Sequence, residues 1–99
     1  MRNKTIMKRR ALRSINALFR RADTIFEETP ELADRYAQVA RRISLRCRVR
    51  IPKRWKRRYC KKCHKFLKPG INARIRLRNK KIVITCLECK NIVRIPYKN

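Results

Sequence analysis

The sequence predicts a small α+β fold with three parts: an N-terminal antiparallel hairpin of two helices, a basic connector, and a C-terminal three-stranded antiparallel ribbon. Apolar residues recur at three- and four-residue steps in the first half of the chain. The second half has short β-prone stretches separated by turn signals, bracketed by two Cys-x-x-Cys pairs. We therefore divide the chain into a hairpin at residues 1–50, a connector at 51–59 and a ribbon at 60–99.

The first helix is predicted at about residues 5–27, where an apolar stripe alternates with arginines. The second is predicted at 30–49, because Thr29 can cap it, Pro30 suits its first position and Pro52 forbids its continuation. The short connection makes the two helices antiparallel neighbours.

Two facing apolar stripes make only a thin core, and two helices alone are marginally stable. The hairpin therefore needs the ribbon or a partner protein to cover its remaining apolar surface. The large stripe residues are candidates for a partner-facing surface, and packing within this chain explains them equally well. These residues are Leu12, Ile15, Leu18, Phe19 and Tyr36.

The connector has no helical or strand period, and no Gly or Ser loosens it. After it, Pro69-Gly70 signals a turn before a strand at 72–77 in which charged and apolar residues alternate. Asn79-Lys80 can form the next turn, followed by a β-prone strand at 81–85. A last strand is predicted at 91–97.

The two cysteine pairs, Cys60/Cys63 and Cys86/Cys89, are separated by 22 residues. Paired cysteines at this spacing are typical of one tetrahedral zinc ion held by four thiolates. Four protein ligands leave no open position, so the zinc is structural rather than catalytic. Such binding contributes about 10–16 kcal/mol at neutral pH, which would supply most of the ribbon's folding energy.

Two other uses of these cysteines are less consistent with the sequence. Cys60 to His64 matches the c-type haem attachment pattern, but haem would leave the Cys86/Cys89 pair unexplained. A redox dithiol needs a thioredoxin-like context, which the pattern lacks. His64 is then an exposed or phosphate-contacting residue, with a role as an alternative zinc ligand less favoured. Cys47 lies on the apolar stripe of the second helix and is interpreted as a small buried hydrophobe.

The chain has 31 basic and 6 acidic residues, for a net charge of +25. This charge favours a nucleic-acid partner, whose phosphates attract the cations. An anionic membrane surface is the weaker alternative, because no basic helix has the aromatic apolar face of an interfacial anchor. No stretch could span a bilayer, and the start lacks a signal-peptide apolar region. We therefore expect a reducing, cytoplasmic location, in which paired cysteines favour metal over disulfides.

Three groups of cations are candidates for RNA contact. The ribbon arginines alternate with apolar residues, so they share one face of a strand. Trp55, in the connector, could stack on a base, although packing against the helices is the favoured interpretation. The candidates are Lys53, Arg54, Lys56, Arg57 and Arg58 in the connector, Arg74, Arg76 and Arg78 in the ribbon, and Lys8, Arg9, Arg10 and Arg13 in the first helix.

No catalytic constellation stands out, because there is one histidine and no Gly-rich phosphate loop. The acidic residues of the first half all lie between residues 23 and 34, around the predicted turn. We interpret them as helix-capping and dipole partners or as contacts for a basic partner, with cation binding as the alternative. They are Asp23, Glu27, Glu28, Glu31 and Asp34.

The second half of the chain contains four specific motifs, which are Arg58-Tyr59-Cys60-x-x-Cys63, Leu67-x-Pro69-Gly70-x-Asn72-x-Arg74-x-Arg76-Leu77, Ile84-Thr85-Cys86-Leu87-x-Cys89 and Arg94-Ile95-Pro96-Tyr97. These motifs closely resemble those of the zinc-ribbon protein subunit of archaeal ribonuclease P, a family also called protein component four. The resemblance covers nearly the whole chain. One departure is that His64 and Lys90 stand where ribbons of this kind often have Gly.

The resemblance implies a subunit that assists a catalytic RNA in removing the 5′ leader of precursor tRNA, while the RNA and its magnesium ions perform the chemistry. It also implies a protein partner with an Sm-like barrel, contacted through the helices, and we place part of that contact at the acidic residues 23–34. A zinc-ribbon ribosomal protein and a transcription-type zinc ribbon remain as alternatives.

Overall fold

The computed structural model describes the backbone of residues 2–96 and the side chains of residues 5–96. It confirms the predicted fold class: a two-helix hairpin is followed by a short connector and a three-stranded antiparallel sheet. In chain order the elements are α1 (Arg2–Ile25), α2 (Pro30–Cys47), α3 (Lys53–Lys56), β1 (Ala73–Arg78), β2 (Lys81–Cys86) and β3 (Ile92–Pro96).

Thr29 occupies the N-cap position of α2 and Pro30 its first turn, as predicted, although the Thr29 side chain makes no capping hydrogen bond. The helix ends before Pro52: Arg48 takes a left-handed conformation (φ 54°), and its backbone N–H donates to the Ser44 carbonyl. Among the elements of the described residues, helix α3 is the one that the sequence pattern missed. It is a single turn started by the Pro52 carbonyl, which accepts from the backbone N–H groups of Trp55 and Lys56 at 2.9 Å each.

The helices pack closely because the buried face of α2 consists of Ala33, Ala37 and Ala40. The larger residues of α1 fill the space above these alanines, and the rest of this core comes from outside the hairpin. Ile51 and Trp55 enter from the connector, and Phe66 enters from the segment between the first cysteine pair and β1. The large residues of α1 are Ile15 and Phe19, joined by Ala22, and Phe26 follows directly after the helix.

This core corrects part of the predicted partner surface. Ile15 and Phe19 are 0 % exposed, because the connector and Phe66 cover the stripe that the sequence left open. Neither residue can contact a partner in this conformation. Leu18 and Tyr36 are half-buried against the same core, and Leu12 is 37 % exposed.

Strands β1 and β2 of the ribbon are joined by a two-residue turn at Asn79 and Lys80. The φ angles of these residues, 51° and 61°, are typical of a type I′ hairpin. The turn pairs Arg78 with Lys81 and sets the register of β1 on β2. Gly70 takes a φ of 89° in the turn that leads to β1. The predicted end of the last strand, Tyr97, lies outside the described residues.

A second, smaller core lies inside the ribbon and includes two of the motif cysteines. It contains little apolar material, which agrees with the expectation that the ribbon needs a metal for its stability. Its buried members are Cys60, Leu67, Ala73, Ile84 and Cys86. Among the described helices, none has the length and apolar character needed to cross a membrane.

Candidate metal centre and nucleic-acid interface

The four cysteine sulfurs converge on one point, and all lie within 4.8 Å of one another. The Sγ atoms of Cys60 and Cys89 are 3.5 Å apart, and those of Cys63 and Cys86 are 3.7 Å apart. A tetrahedral ion with metal–sulfur bonds of about 2.3 Å separates its sulfurs by about 3.8 Å. The cluster therefore has the donor type, number and spacing to hold a metal ion.

The two cysteine pairs lie on matching turns. The backbone N–H groups of His64 and Lys90 donate to the carbonyls of Cys60 and Cys86, each at 2.8 Å. His64 and Lys90 have φ angles of 64° and 68°, in the left-handed region that glycine adopts without cost. The departure from the family pattern therefore leaves the turns intact, and two non-glycine residues carry the backbone strain.

The environment of the cluster shifts the pKa values of Cys60, Cys63 and Cys86. Burial raises the pKa of Cys60, but hydrogen bonds from the backbone N–H groups of Cys63 and Lys62 outweigh it and lower the pKa to about 7. Burial raises the pKa of Cys63 to about 12 and also raises that of Cys86. Four adjacent thiolates repel one another, whereas a bound divalent ion deprotonates coordinating thiols outright.

His64 is next to the cluster but is not one of the residues that converge on it. Its Nδ1 atom is buried and has no hydrogen-bond partner in the described part of the chain. Cys47, on α2, is half-buried and is not among the residues that converge on this point. The four cysteines that the spacing predicted are thus the ones positioned to hold a metal ion.

The sheet presents one strongly cationic face. Arg74, Arg76 and Arg78 are exposed along β1, as their alternation predicted. The strand register adds two cations that the sequence analysis did not select, because Arg78 pairs with Lys81, and Arg76 is in one row with Val83 and Arg94. In the described structure, none of these five cations forms a salt bridge. The two-residue turn was the signal that could have placed Lys81 on this face.

The connector cations divide into two groups. Lys53, Arg54 and Lys56 are exposed and Arg57 is half-buried. Arg58 instead points into the junction between hairpin and ribbon, where its guanidinium contacts the Asp23 carboxylate and its Nε donates to the Leu67 carbonyl. The Arg58 side chain is therefore engaged in contacts within the chain. In the first helix, the four predicted cations are all exposed: Lys8, Arg9, Arg10 and Arg13.

Trp55 packs in the core of the hairpin. It is buried, its ring stacks on Phe19 with centroids 5.3 Å apart, and its indole N–H donates to Asn16 Oδ1 at 3.0 Å. The buried aromatic interpretation is the one that the structure supports. The indole is not available to stack on a base.

Two of the five clustered acids join the hairpin to the ribbon, a role that sequence reasoning missed. Asp23 accepts hydrogen bonds from both Arg58 and Lys68. Asp34 accepts a hydrogen bond of 2.8 Å from the backbone N–H of Phe66. The other three acids are exposed: Glu27, Glu28 and Glu31.

The environment of this junction shifts the pKa values of both carboxyl groups. Burial favours a higher pKa for Asp23, but the hydrogen bond from Lys68 and the charge of Arg58 prevail and lower it. Burial dominates for Asp34 and raises its pKa, despite the hydrogen bond from Phe66. Asp23 therefore stabilises the junction in its ionised form. Ionisation of the Asp34 carboxyl, in contrast, costs free energy because the group is partly buried.

A family model described as the RNAse P Rpr2/Rpp21/SNM1 subunit domain matches residues 14–90, from the middle of α1 through the second cysteine pair. The chain belongs to this family. Membership confirms the resemblance seen in the motifs and favours it over the ribosomal and transcription-type alternatives. The Rpr2/Rpp21/SNM1 match spans both the helices and the ribbon, so it does not rest on the cysteine pattern alone.

Relatives in this family are similar along most of their length. Ribonuclease P protein component 4 of Pyrococcus furiosus is 54 % identical over 93 residues, covering 91 % of this chain and 80 % of the relative. The protein of the same name from Thermococcus kodakarensis is 52 % identical over 93 residues, covering 91 % of this chain and 70 % of the relative.

Two solved structures are similar in fold. A chain of an archaeal ribonuclease P solved with mature tRNA by cryo-EM is 47 % identical, with a TM-score of 0.80 over 87 % of this chain and 75 % of that chain. A structure of Pfu Rpp21 is 53 % identical, with a TM-score of 0.58 over 86 % of this chain and 97 % of that one.

Proposed function

We propose that this chain is an RNA-binding protein subunit of ribonuclease P that assists the catalytic RNA in removing the 5′ leader of precursor tRNA. The observation that carries the proposal is the close match, in sequence and fold, to a chain of archaeal ribonuclease P solved with mature tRNA. The candidate metal site has protein ligands at all four positions and no place for a reacting water. The role of the protein is therefore binding and positioning, and the RNA performs the chemistry.

The metal in the four-cysteine cluster is zinc in this proposal. Four thiolates in a tetrahedral arrangement are the donors that structural zinc prefers. The ion would tie Cys60 and Cys63, which follow the connector, to Cys86 and Cys89, which flank the end of β2. It would thereby hold the cationic face of the sheet at a constant orientation to the hairpin.

RNA contact is proposed for the cationic face of the sheet, formed by Arg74, Arg76, Arg78, Lys81 and Arg94. Support comes from their exposure and from the absence of salt bridges to them in the described structure. Guanidinium groups suit phosphates because their planar donors can bind two oxygens at once. Arg58 is not part of this surface, because its side chain contacts Asp23 and the Leu67 carbonyl. Further RNA contacts are proposed for Lys53, Arg54, Lys56 and Arg57 in the connector and for Lys8, Arg9, Arg10 and Arg13 on α1.

The protein partner proposed from the family resemblance is the Sm-like-barrel subunit of ribonuclease P, and the proposed location is the cytoplasm. The contact is proposed on the hairpin at Leu12 and the half-buried Leu18 and Tyr36. Met7 and Leu45, also exposed on the helices, can extend this apolar surface. An apolar helix surface left open in the isolated chain is typical of a protein–protein interface.

Reconstitution tests the proposed function. Precursor tRNA cleavage by ribonuclease P RNA is measured with the other protein subunits, with and without this chain, at low and moderate magnesium. We expect the chain to raise the cleavage rate. The variant in which Arg74 and Arg76 are both alanine should support less cleavage than the wild type, and Leu77→Ala, on the opposite face of the same strand, should support the wild-type rate. Equal cleavage with and without the chain would contradict the proposal.

A further inference from the structure

A cleft of about 430 Å³ lies between α3 and the face of the sheet opposite the cationic one. Ile84, Val93 and Ile95 form its apolar floor, with Ile84 and Val93 paired directly across β2 and β3. Tyr59 and Leu67 also line it. Its volume lies in the usual range of sites for small organic groups, and apolar residues form most of its lining.

The rim of this cleft is positively charged. Lys53, Lys56 and Arg57 come from the connector and Lys61 from the first cysteine turn, and no acidic side chain is among the described lining residues. An apolar ligand alone would gain nothing from four cations. A ligand that combines a flat apolar group with adjacent negative charges would use both the floor and the rim.

We propose that this cleft binds an unpaired nucleotide of RNA, with its base on the apolar floor and its flanking phosphates on the basic rim. The inference rests on the proposed RNA-binding function and specifies the nucleic-acid class, because only an unstacked base can present its face to the protein. The amide of Asn91, in the cleft wall, can hydrogen-bond the edge of the base.

The position of the cleft connects it to the cationic face. Strand β3 is an edge of the sheet, and its successive side chains point to opposite faces. Arg94 therefore lies on the cationic face, while its neighbours Val93 and Ile95 line the cleft. One RNA strand that crosses the β3 edge can contact Arg94 through a phosphate and insert the neighbouring base into the cleft.

The test compares two probes on the zinc-loaded full chain: a single-stranded hexaribonucleotide, and an abasic oligomer with the same phosphates. Binding is followed by NMR of the isoleucine and valine methyl groups. We expect the hexaribonucleotide to move the Val93 and Ile95 methyl signals upfield through the ring current of the base. The abasic oligomer should bind about tenfold more weakly, because stacked bases contribute to affinity, and should leave those signals in place.

A matched pair of variants tests the position of the base. Val93→Phe fills the cleft and should weaken hexaribonucleotide binding to the level of the abasic oligomer. Ile71→Phe adds the same ring in the turn before β1, at a residue that is 52 % exposed and does not line the cleft, and should not reduce binding. If Val93→Phe does not fold, the comparison of the two probes on the wild-type chain still tests whether the cleft binds a base.

The outcomes separate this inference from the proposed function. Equal binding of both probes, with Val93 and Ile95 signals unmoved, overturns the base-binding cleft while RNA binding stands. Binding of neither probe overturns both proposals. Movement of these methyl signals by the Sm-like-barrel subunit, but not by the hexaribonucleotide, would assign the cleft to a protein and overturn the inference.

Discussion

Phe66→Ala tests whether the hairpin and the ribbon form one cooperative unit. The Phe66 ring is fully buried although the residue belongs to the ribbon half of the chain. It packs 5.8 Å from the ring of Phe26 and 6.4 Å from that of Phe19, and the Arg58 guanidinium lies over it at 5.2 Å. The variant removes the main apolar contact between the two halves.

The expected loss follows from this environment. Truncating a fully buried phenylalanine to alanine lowers the free energy of unfolding by about 3–5 kcal/mol, because transfer energy is lost and a cavity remains. A small domain has only about 5–15 kcal/mol of stability, so the variant should be close to unfolding at room temperature. Phe66→Leu leaves a smaller cavity and should lose about 1–2 kcal/mol.

The assay is denaturant unfolding of the zinc-loaded protein, followed by far-ultraviolet circular dichroism and by the fluorescence of Trp55. Circular dichroism reports mainly the helices, and the indole reports the junction. We expect the two probes to give one midpoint, because the halves share a core. Leu77→Ala is the control: this side chain is 65 % exposed, so its loss should stay within about 0.5 kcal/mol. A loss below about 1 kcal/mol for Phe66→Ala, or separate midpoints in the wild type, would refute the reasoning.

Asp23→Asn should lower stability by about 1 kcal/mol at neutral pH, a modest value because solvent screens this partly exposed group. Since the folded-state pKa of Asp23 is lowered, its contribution is present above the unfolded value of about 3.9 and is lost as pH falls through the folded value. Melting curves should therefore converge with the wild type in acid, and a constant gap would contradict this. Chelating the metal should reduce the helical circular dichroism as well as the sheet signal, and an unchanged helical signal would show that the hairpin is independent. Lys90→Gly should raise the free energy of unfolding by up to about 1 kcal/mol, because glycine removes the strain of a φ of 68°; a lower denaturation midpoint would count against it. Replacing Arg74 and Arg76 with alanine should flatten the dependence of log affinity for RNA on log salt by about two units, and an unchanged slope would reject this face as an RNA surface.

The clustering of the four cysteines could be predicted from the sequence because the geometry of each pair is local. Two cysteines three positions apart form a turn that presents both sulfurs, and the second pair, Cys86 and Cys89, repeats the arrangement. The alternation of Arg74, Arg76 and Arg78 placed them on one face for the same reason, since the period of a strand is a property of the backbone. The helices were predicted in type and approximate bounds, and α3 was missed because a single turn has no period to detect.

The partner surface could be predicted only in part. The stripe that holds Ile15 and Phe19 is apolar whether it faces another protein or another segment of the same chain. Periodicity shows that such a stripe must be covered and does not show what covers it. In the structure, Trp55 and Phe66 cover this stripe. They are distant from it in sequence, and no sequence pattern links them to α1.

Sequence alone determined the chemistry of this protein: the four sulfurs of the candidate metal site, the excess of positive charge and the order of helices and strands are all encoded in local spacing and composition. Tertiary structure alone decided which residues remain available for binding. It buried Phe19, engaged Arg58 with Asp23, and opened the cleft beside β3. The physical reason is that exposure depends on long-range packing, in which residues far apart in the chain compete to cover the same apolar surface.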